Sequence, residues 1–123
     1  MKNPRIDEHG HKFWHNEKGQ FHRLDGPAKE FVNGDKLWFI DDKLHRIDGP
    51  ACEWYDGDKE WRVNGELHRL DGPAIEFTSD DISWWVNGIK LSGPLELLKH
   101  GAKLEDLAEW LTPREIALCR TQK

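Results

Sequence analysis

The string HRLDGPA at residues 22–28 returns as HRIDGPA at residues 45–51 and again as HRLDGPA at residues 68–74, each time 23 residues further on. Nothing else in the sequence constrains the fold as strongly. A fixed period means one supersecondary unit that buries its apolar face only by stacking on copies of itself. The period extends beyond the motif, since Glu30, Glu53 and Glu76 align, as do Phe31, Trp54 and Phe77, and then Trp38, Trp61 and Trp84. The chain has 123 residues, of which 33% are charged, so its seven Trp and five Phe must supply much of the core.

Asn33-Gly34 and Asp56-Gly57 stand between short extended segments, a strong hairpin signal when the loop is a two-residue type I′ turn. That register pairs Phe31 with Lys36, Lys29 with Trp38, Trp54 with Lys59, Cys52 with Trp61, Phe77 with Ile82 and Ile75 with Trp84. It gathers Trp38, Trp61 and Trp84 into one buried row with Phe31, Trp54 and Phe77. Ala28, Ala51, Ala74, the three aligned glutamates, Phe39 and Arg62 then fall on the opposite face. A second turn at Asn64-Gly65 and Asn87-Gly88, with Asp41-Asp42 in the middle unit, leads each hairpin into the next motif. Asp-Gly-Pro then builds a corner, with Gly supplying positive φ and Pro a fixed one.

At the N-terminus, GHKFW (residues 10–14) resembles GDKLW (residues 34–38), with one additional residue before His22 that a bulge would absorb. After Gly88 the pattern stops. Ser92 is a candidate helix N-cap and Gly101 a stop, while Leu104, Leu107, Ala108 and Leu111 share a helical face. Thr112, Pro113 and Glu115 form a capping-box start. The expected fold is mainly β, an antiparallel meander sheet of repeated hairpins with a short C-terminal α-helical cap. Residues 1–20 form a degenerate N-terminal repeat, residues 21–90 three 23-residue β-hairpin repeats and residues 91–123 the helical segment, all within one structural domain.

The unit W-x-V-N-G-x-L-H-R followed by D-G-P-A-x-E-[FW] resembles a MORN-type β-hairpin repeat, and is closer still to the HRxDGPA repeat proteins of tailed phages and large viruses. The resemblance covers residues 10–90 and implies an elongated sheet used as a scaffold, sometimes at membranes. Where MORN units carry Gly after the His, this chain has Arg23, Arg46 and Arg69, a departure that weighs against lipid binding.

His22, His45 and His68, with Arg23, Arg46, Arg69 and Asp25, Asp48, Asp71, invite an acid–base reading or that of a kinase His-Arg-Asp. The kinase reading fails because a residue intervenes before the Asp and no Gly-rich loop or Asp-Phe-Gly occurs. Three copies within 53 residues fit a structural repeat motif better than an active site. His9, His11, His15 and His22 suggest a metal, but nothing supplies a defined four-ligand set. Cys52 and Cys119 read as free thiols of a reducing compartment. No catalytic set, metal or cofactor is expected.

Residues 1–88 carry 12 Lys and Arg against 18 Asp and Glu, a net of -6 within a chain of net -5, which opposes general nucleic-acid binding. No apolar run is long enough for a membrane span or signal peptide, so the expectation is a soluble, cytoplasmic protein with no membrane partner. The functional expectation is a non-catalytic protein–protein interaction module, encoded by a phage or virus and binding a host protein as inhibitor or adaptor. The rivals are a small-molecule or metal-binding protein and a structural virion component. Partner contacts are expected on Trp85, Phe39, Arg62 and Tyr55, or on the acidic edge of Asp56, Asp58 and Glu60, because aromatics and Arg are enriched at interface hot spots.

Overall fold

The computed structural model describes residues 3–121; residues 1–2 of the expected N-terminal unit and 122–123 of the helical segment lie outside them. The fold is mainly β. Strands β1 (Arg5–Ile6), β2 (Lys12–Phe13), β3 (Lys29–Glu30) and β4 (Lys36–Leu37) begin a nine-stranded antiparallel meander. After the hairpin of β5 (Phe39–Ile40) and β6 (Lys43–Leu44), the sheet continues through β7 (Cys52–Glu53) and β8 (Lys59–Glu60). After the hairpin of β9 (Arg62–Val63) and β10 (Glu66–Leu67), it ends with β11 (Ile75–Glu76), β12 (Ile82–Val86) and β13 (Ile89–Leu91). Each unit thus contributes a long hairpin to the sheet and a short hairpin beside it. In the last unit the two merge into the five-residue β12 and its partner β13.

The long hairpins are one residue out of the expected register. Lys29 pairs with Leu37 and Glu30 with Lys36, then Cys52 with Glu60 and Glu53 with Lys59, then Ile75 with Ser83 and Glu76 with Ile82. The cause is the loop. Phe31 N–H donates to the Asp35 carbonyl and Gly34 N–H to the Phe31 carbonyl, each at 3.0 Å, so residues 32–34 form a three-residue loop with Gly34 left-handed at φ 105°. Such loops pair a type I turn with a bulge. The same closure recurs with Gly10 at φ 87°, Gly57 at φ 99° and Asp80 at φ 69°. The type I′ geometry belongs to the second turns instead, where both central residues have positive φ: Asp41 and Asp42 at 48° and 67°, Asn64 and Gly65 at 52° and 85°, Asn87 and Gly88 at 50° and 79°.

The slipped register has an electrostatic benefit. Lys12, Glu30, Lys36, Glu53, Lys59 and Glu76 stand opposite one another in turn, so the sign alternates across six strands. Opposite charges so paired contribute roughly 0.2–1 kcal/mol each. It also revises the burial pattern. Ala28, Ala51 and Ala74 are wholly buried rather than outward-facing, while of the tryptophan row only Trp84 is buried and Trp38 and Trp61 are half-buried. Phe31 packs edge-on against Phe13, with centroids 6.0 Å apart, on the side that Lys29 and Leu37 share and not beside Trp38.

The N-terminal stretch adds the hairpin of β1 and β2 to the edge of the sheet. Its extra residue is absorbed where expected, by a three-residue loop at residues 17–19 closed by Asn16 N–H to the Gln20 carbonyl, with Gly19 at φ 80°. At the other end lie α1 (Pro94–Leu97), α2 (Leu104–Leu107) and α3 (Pro113–Thr121). Gly93, not Ser92, is the N-cap of α1, while Ser92 N–H donates to the Glu96 carboxylate. Gly101 ends the following turn in the left-handed region, and Thr112 and Glu115 make the reciprocal capping box. Leu107 and Leu111 are buried, but Ala108 is exposed because the helix tightens into a 3-10 turn over Ala108–Trp110. Leu97, Leu107 and Leu111 pack on Trp84 and Val86, with Trp110 edge-on to Trp84 at 5.6 Å, and this is the largest apolar core.

Candidate docking face at the repeat corners

Each HRxDGPA corner is a closed polar assembly. The guanidinium of Arg46 lies 3.9 Å from the Trp38 ring centroid, and its Nε donates to Asp48 at 3.1 Å. Its Nη1 donates to the Pro50 carbonyl at 3.1 Å and to Glu53 at 3.2 Å. Arg23 repeats the arrangement over Trp14 with Asp25, Pro27 and Glu30, and Arg69 over Trp61 with Asp71, Pro73 and Glu76. The hydrogen bond from Arg23 is the main reason the Asp25 carboxyl is held below its ordinary range.

The corner glycine has a different role from the one expected. Gly26, Gly49 and Gly72 do not adopt positive φ. A Cβ there would sit 2.8, 2.8 and 2.6 Å from the Cζ of Arg23, Arg46 and Arg69. Glycine is therefore required so that the guanidinium can lie between backbone and indole.

The histidines stitch units together. Nδ1 of His22, His45 and His68 accepts the N–H of Asp41, Asn64 and Asn87 at 3.1, 3.0 and 3.0 Å, which leaves the proton of the neutral ring on Nε2. The main chain runs in parallel: Trp14, Trp38 and Trp61 N–H donate to the carbonyls of Ala28, Ala51 and Ala74. Arg23, Arg46 and Arg69 N–H donate to those of Phe39, Arg62 and Trp85. The nine His, Arg and Asp side chains of the motif are thus all engaged in holding the repeat.

The side chains expected to meet a partner fare unevenly. Phe39, Arg62 and Trp85 occupy one repeat position, 23 residues apart, and are half-buried rather than exposed. Phe39 packs on Phe21 at 5.7 Å, and the Lys29 ammonium lies 4.0 Å from the Phe21 centroid, its pKa lowered by burial. Arg62 is held by Glu60 at 3.0 Å and the Gly65 carbonyl at 2.9 Å. Trp85 pairs across the strand with Lys90, and its indole N–H donates to Ser83 Oγ at 2.7 Å. Asp58 accepts from the backbone N–H and hydroxyl of Thr78, so Glu60 and Asp58 both serve the repeat internally. Tyr55 is exposed, as is Asp56 at the same hairpin tip.

Among the described residues no group of three or more His, Cys, Asp or Glu is placed to hold a metal ion; His11, for one, accepts the Val32 N–H through Nδ1. Both cysteines are free, and burial pushes the Cys52 thiol up to about 12. Among the described residues no helix is long and apolar enough to cross a membrane.

The apolar side chains that do face solvent at the corners are Leu24, 83% exposed, and Ile47, 77% exposed. They are the x of HRxDGPA, a position the motif reading passes over. Its signal is plain in retrospect: the residue is Leu, Ile and Leu in the three copies, apolar each time in a polar string. A groove of about 760 Å³ runs between the first two corners, lined by Leu24, Trp38, Ile40 and Ile47 with Arg23 and Arg46. No protein-family model, curated protein or solved structure matches this chain.

Proposed function

We propose that this chain is a non-catalytic protein-binding module, and that it belongs with the phage and viral HRxDGPA repeats it resembles, occupying a host protein as inhibitor or adaptor. The observation that supports this most is the pair of bare apolar side chains, Leu24 and Ile47, presented at fixed spacing beside half-buried indoles on an ordered sheet. Exposed apolar surface rimmed by polar groups is characteristic of interaction sites. Reactive function has no comparable support at the corners, because each motif histidine Nδ1 is taken by a backbone amide and each motif arginine by its own acids and a carbonyl.

The test is co-purification of the tagged chain from a lysate of its own host cell. A stoichiometric partner that survives nuclease treatment is the expected result. A chain that recovers nothing, yet melts several degrees higher with a divalent metal or a nucleotide, would refute the reading in favour of a small-ligand protein.

A further inference from the structure

The charge ladder across the sheet ends in an isoleucine on each side. Ile6 of β1 stands opposite Lys12 and Ile82 of β12 opposite Glu76, and both are exposed, at 59% and 45%. The two ends are otherwise unlike. Past Ser83, β12 pairs Trp84, Trp85 and Val86 with β13, and α1 packs beside both strands. Leu97 of α1, wholly buried, stands 23 residues after Ala74 and takes the place from which a further corner would lead in the next strand. β1 is the outermost strand at the other end, with β2 on one side and no described strand beyond it.

The backbone of β1 is turned for further pairing. Asp7 N–H donates to the His11 carbonyl at 3.1 Å, so Asp7 and, two residues back, Arg5 direct their backbone groups at β2. Ile6 lies between them and directs its N–H and carbonyl outward. So does Glu8 with its N–H: its counterparts at the later tips, Val32, Tyr55 and Thr78, donate theirs to the preceding hairpin at His11, Asp35 and Asp58. An open edge of this kind invites another strand, and an antiparallel copy of the same edge is related to it by a twofold axis. Three registers then keep the two edges in contact. Centred on Arg5, the pairing sets arginine against arginine; centred on Asp7, it sets aspartate against aspartate, and like charges directly opposite destabilise. Centred on Ile6, it sets isoleucine against isoleucine and Arg5 against Asp7 on both sides of the axis, and the outward N–H and carbonyl of Ile6 meet their own counterparts.

We infer that the chain self-associates through β1 into a twofold dimer, two sheets joined edge to edge with Ile6 at the axis and reciprocal Arg5–Asp7 pairs beside it. The occupant of the edge is a second copy of this chain. The charged groups are placed for it. Arg5 is exposed, lies over the Phe13 ring at 5.0 Å from its centroid, and forms no ion pair among the described residues. Asp7 uses Oδ1 to hold the N–H groups of His9 and His11, which leaves Oδ2 for the arginine of the second copy. Only β1 and the start of its tip take part, so the contact belongs to the small, weak class of interfaces, populated at millimolar and not at micromolar concentration. This goes beyond the protein-binding reading and does not depend on it.

Sedimentation velocity of the full chain over a concentration series tests it, with amide chemical shifts recorded on the same samples. The mean mass should climb from 14.4 kDa toward twice that value, the amides of Ile6 and Glu8 moving with concentration and that of Ile82 staying still. Ile6→Lys sets like charges at the axis and Arg5→Glu sets an acid against Asp7, so each should weaken association about tenfold or more. Arg5→Glu decides the matter should Ile6→Lys disturb folding. Asp7→Asn keeps the acceptor for the His9 and His11 amides without the charge, and should weaken association less while removing most of its salt dependence. Ile82→Lys should change nothing. A chain that stays monomeric at millimolar concentration overturns the inference, and so does association that survives both Ile6→Lys and Arg5→Glu. Association lost on Ile82→Lys would assign the contact to a head-to-tail join of the two sheet ends and overturn the twofold. A monomeric chain that still retains a lysate partner overturns the dimer while leaving the protein-binding reading intact.

Discussion

Gly49→Ala isolates the central feature of the corner. The new Cβ would lie 2.8 Å from Cζ of Arg46 and 3.1 Å from both Nε and Nη1, closer than a methyl can approach. The guanidinium must leave, because Gly49 is main chain tied into the corner while the arginine is a side chain. Departure forfeits the stacking on Trp38, about 0.5–1 kcal/mol. It also strands the Pro50 carbonyl and Glu53, whose bonds to a charged donor contribute roughly 1.5–3 kcal/mol each when shielded. Arg46 is 23% and Glu53 35% exposed, so those bonds count for about half. The expected loss is about 2–4 kcal/mol, a sizeable share of the roughly 5–15 kcal/mol of an ordinary domain. Urea unfolding followed by tryptophan fluorescence measures it. In an Arg46→Ala background the same Gly49→Ala change should cost less than about 1 kcal/mol, since nothing is left to displace. Gly93→Ser, where a Cβ meets nothing within 4 Å, should stay within about 0.5 kcal/mol. A Gly49→Ala chain as stable as wild type, or a penalty unchanged without Arg46, would refute the account of the corner.

Three further outcomes follow from other parts of the fold. Asp80→Gly should stabilise by about 0.5–1 kcal/mol, raising the thermal midpoint, because Asp80 occupies at φ 69° the left-handed site held elsewhere by Gly34 and Gly57; a lowered midpoint would contradict the loop assignment. Thr112→Ala should cost about 1 kcal/mol and speed amide exchange at the start of α3, since it removes the acceptor for Glu115 N–H; unchanged exchange there would deny the capping box a stabilising role. Iodoacetamide at pH 8 should alkylate Cys119 first and reach Cys52 only when the chain unfolds, because burial holds the Cys52 thiol protonated up to about 12; equal labelling rates in the native protein would show that site to be open.

Much of this architecture is legible in the sequence. The period places the corners, the Trp14-to-His22 insertion places an enlarged loop, and Thr112-Pro113-x-Glu115 places the last helix. The register is not legible from Asn-Gly alone, since the pair serves a type I′ turn at Asn64-Gly65 and the last two positions of a three-residue loop at Asn33-Gly34. What distinguishes them is Asp35 and Asp58, which follow the glycine and accept the N–H of Tyr55 and Thr78 some 20 residues on, a contact no local window contains. Parity misleads for a related reason. An indole is taken as a core residue, yet Trp38 and Trp61 are covered on one face by a cation, so an aromatic row can lie near the surface without being solvated. The docking face escapes because Leu24 and Ile47 differ from Leu70 only in what the C-terminal segment happens to cover.

The histidine links have a kinetic consequence. Each spans 19 residues, so no step in assembly waits for distant parts of the chain to meet. Folding can start at any corner and spread to its neighbours, as in other one-dimensional arrays. The two ends are unequal, however: the helices seal the last corner, whereas β1 leaves an exposed two-residue edge at the first. Opening should therefore advance as a front from residue 5 toward residue 86, and amide protection should rise unit by unit along the chain in a staircase with 23-residue treads.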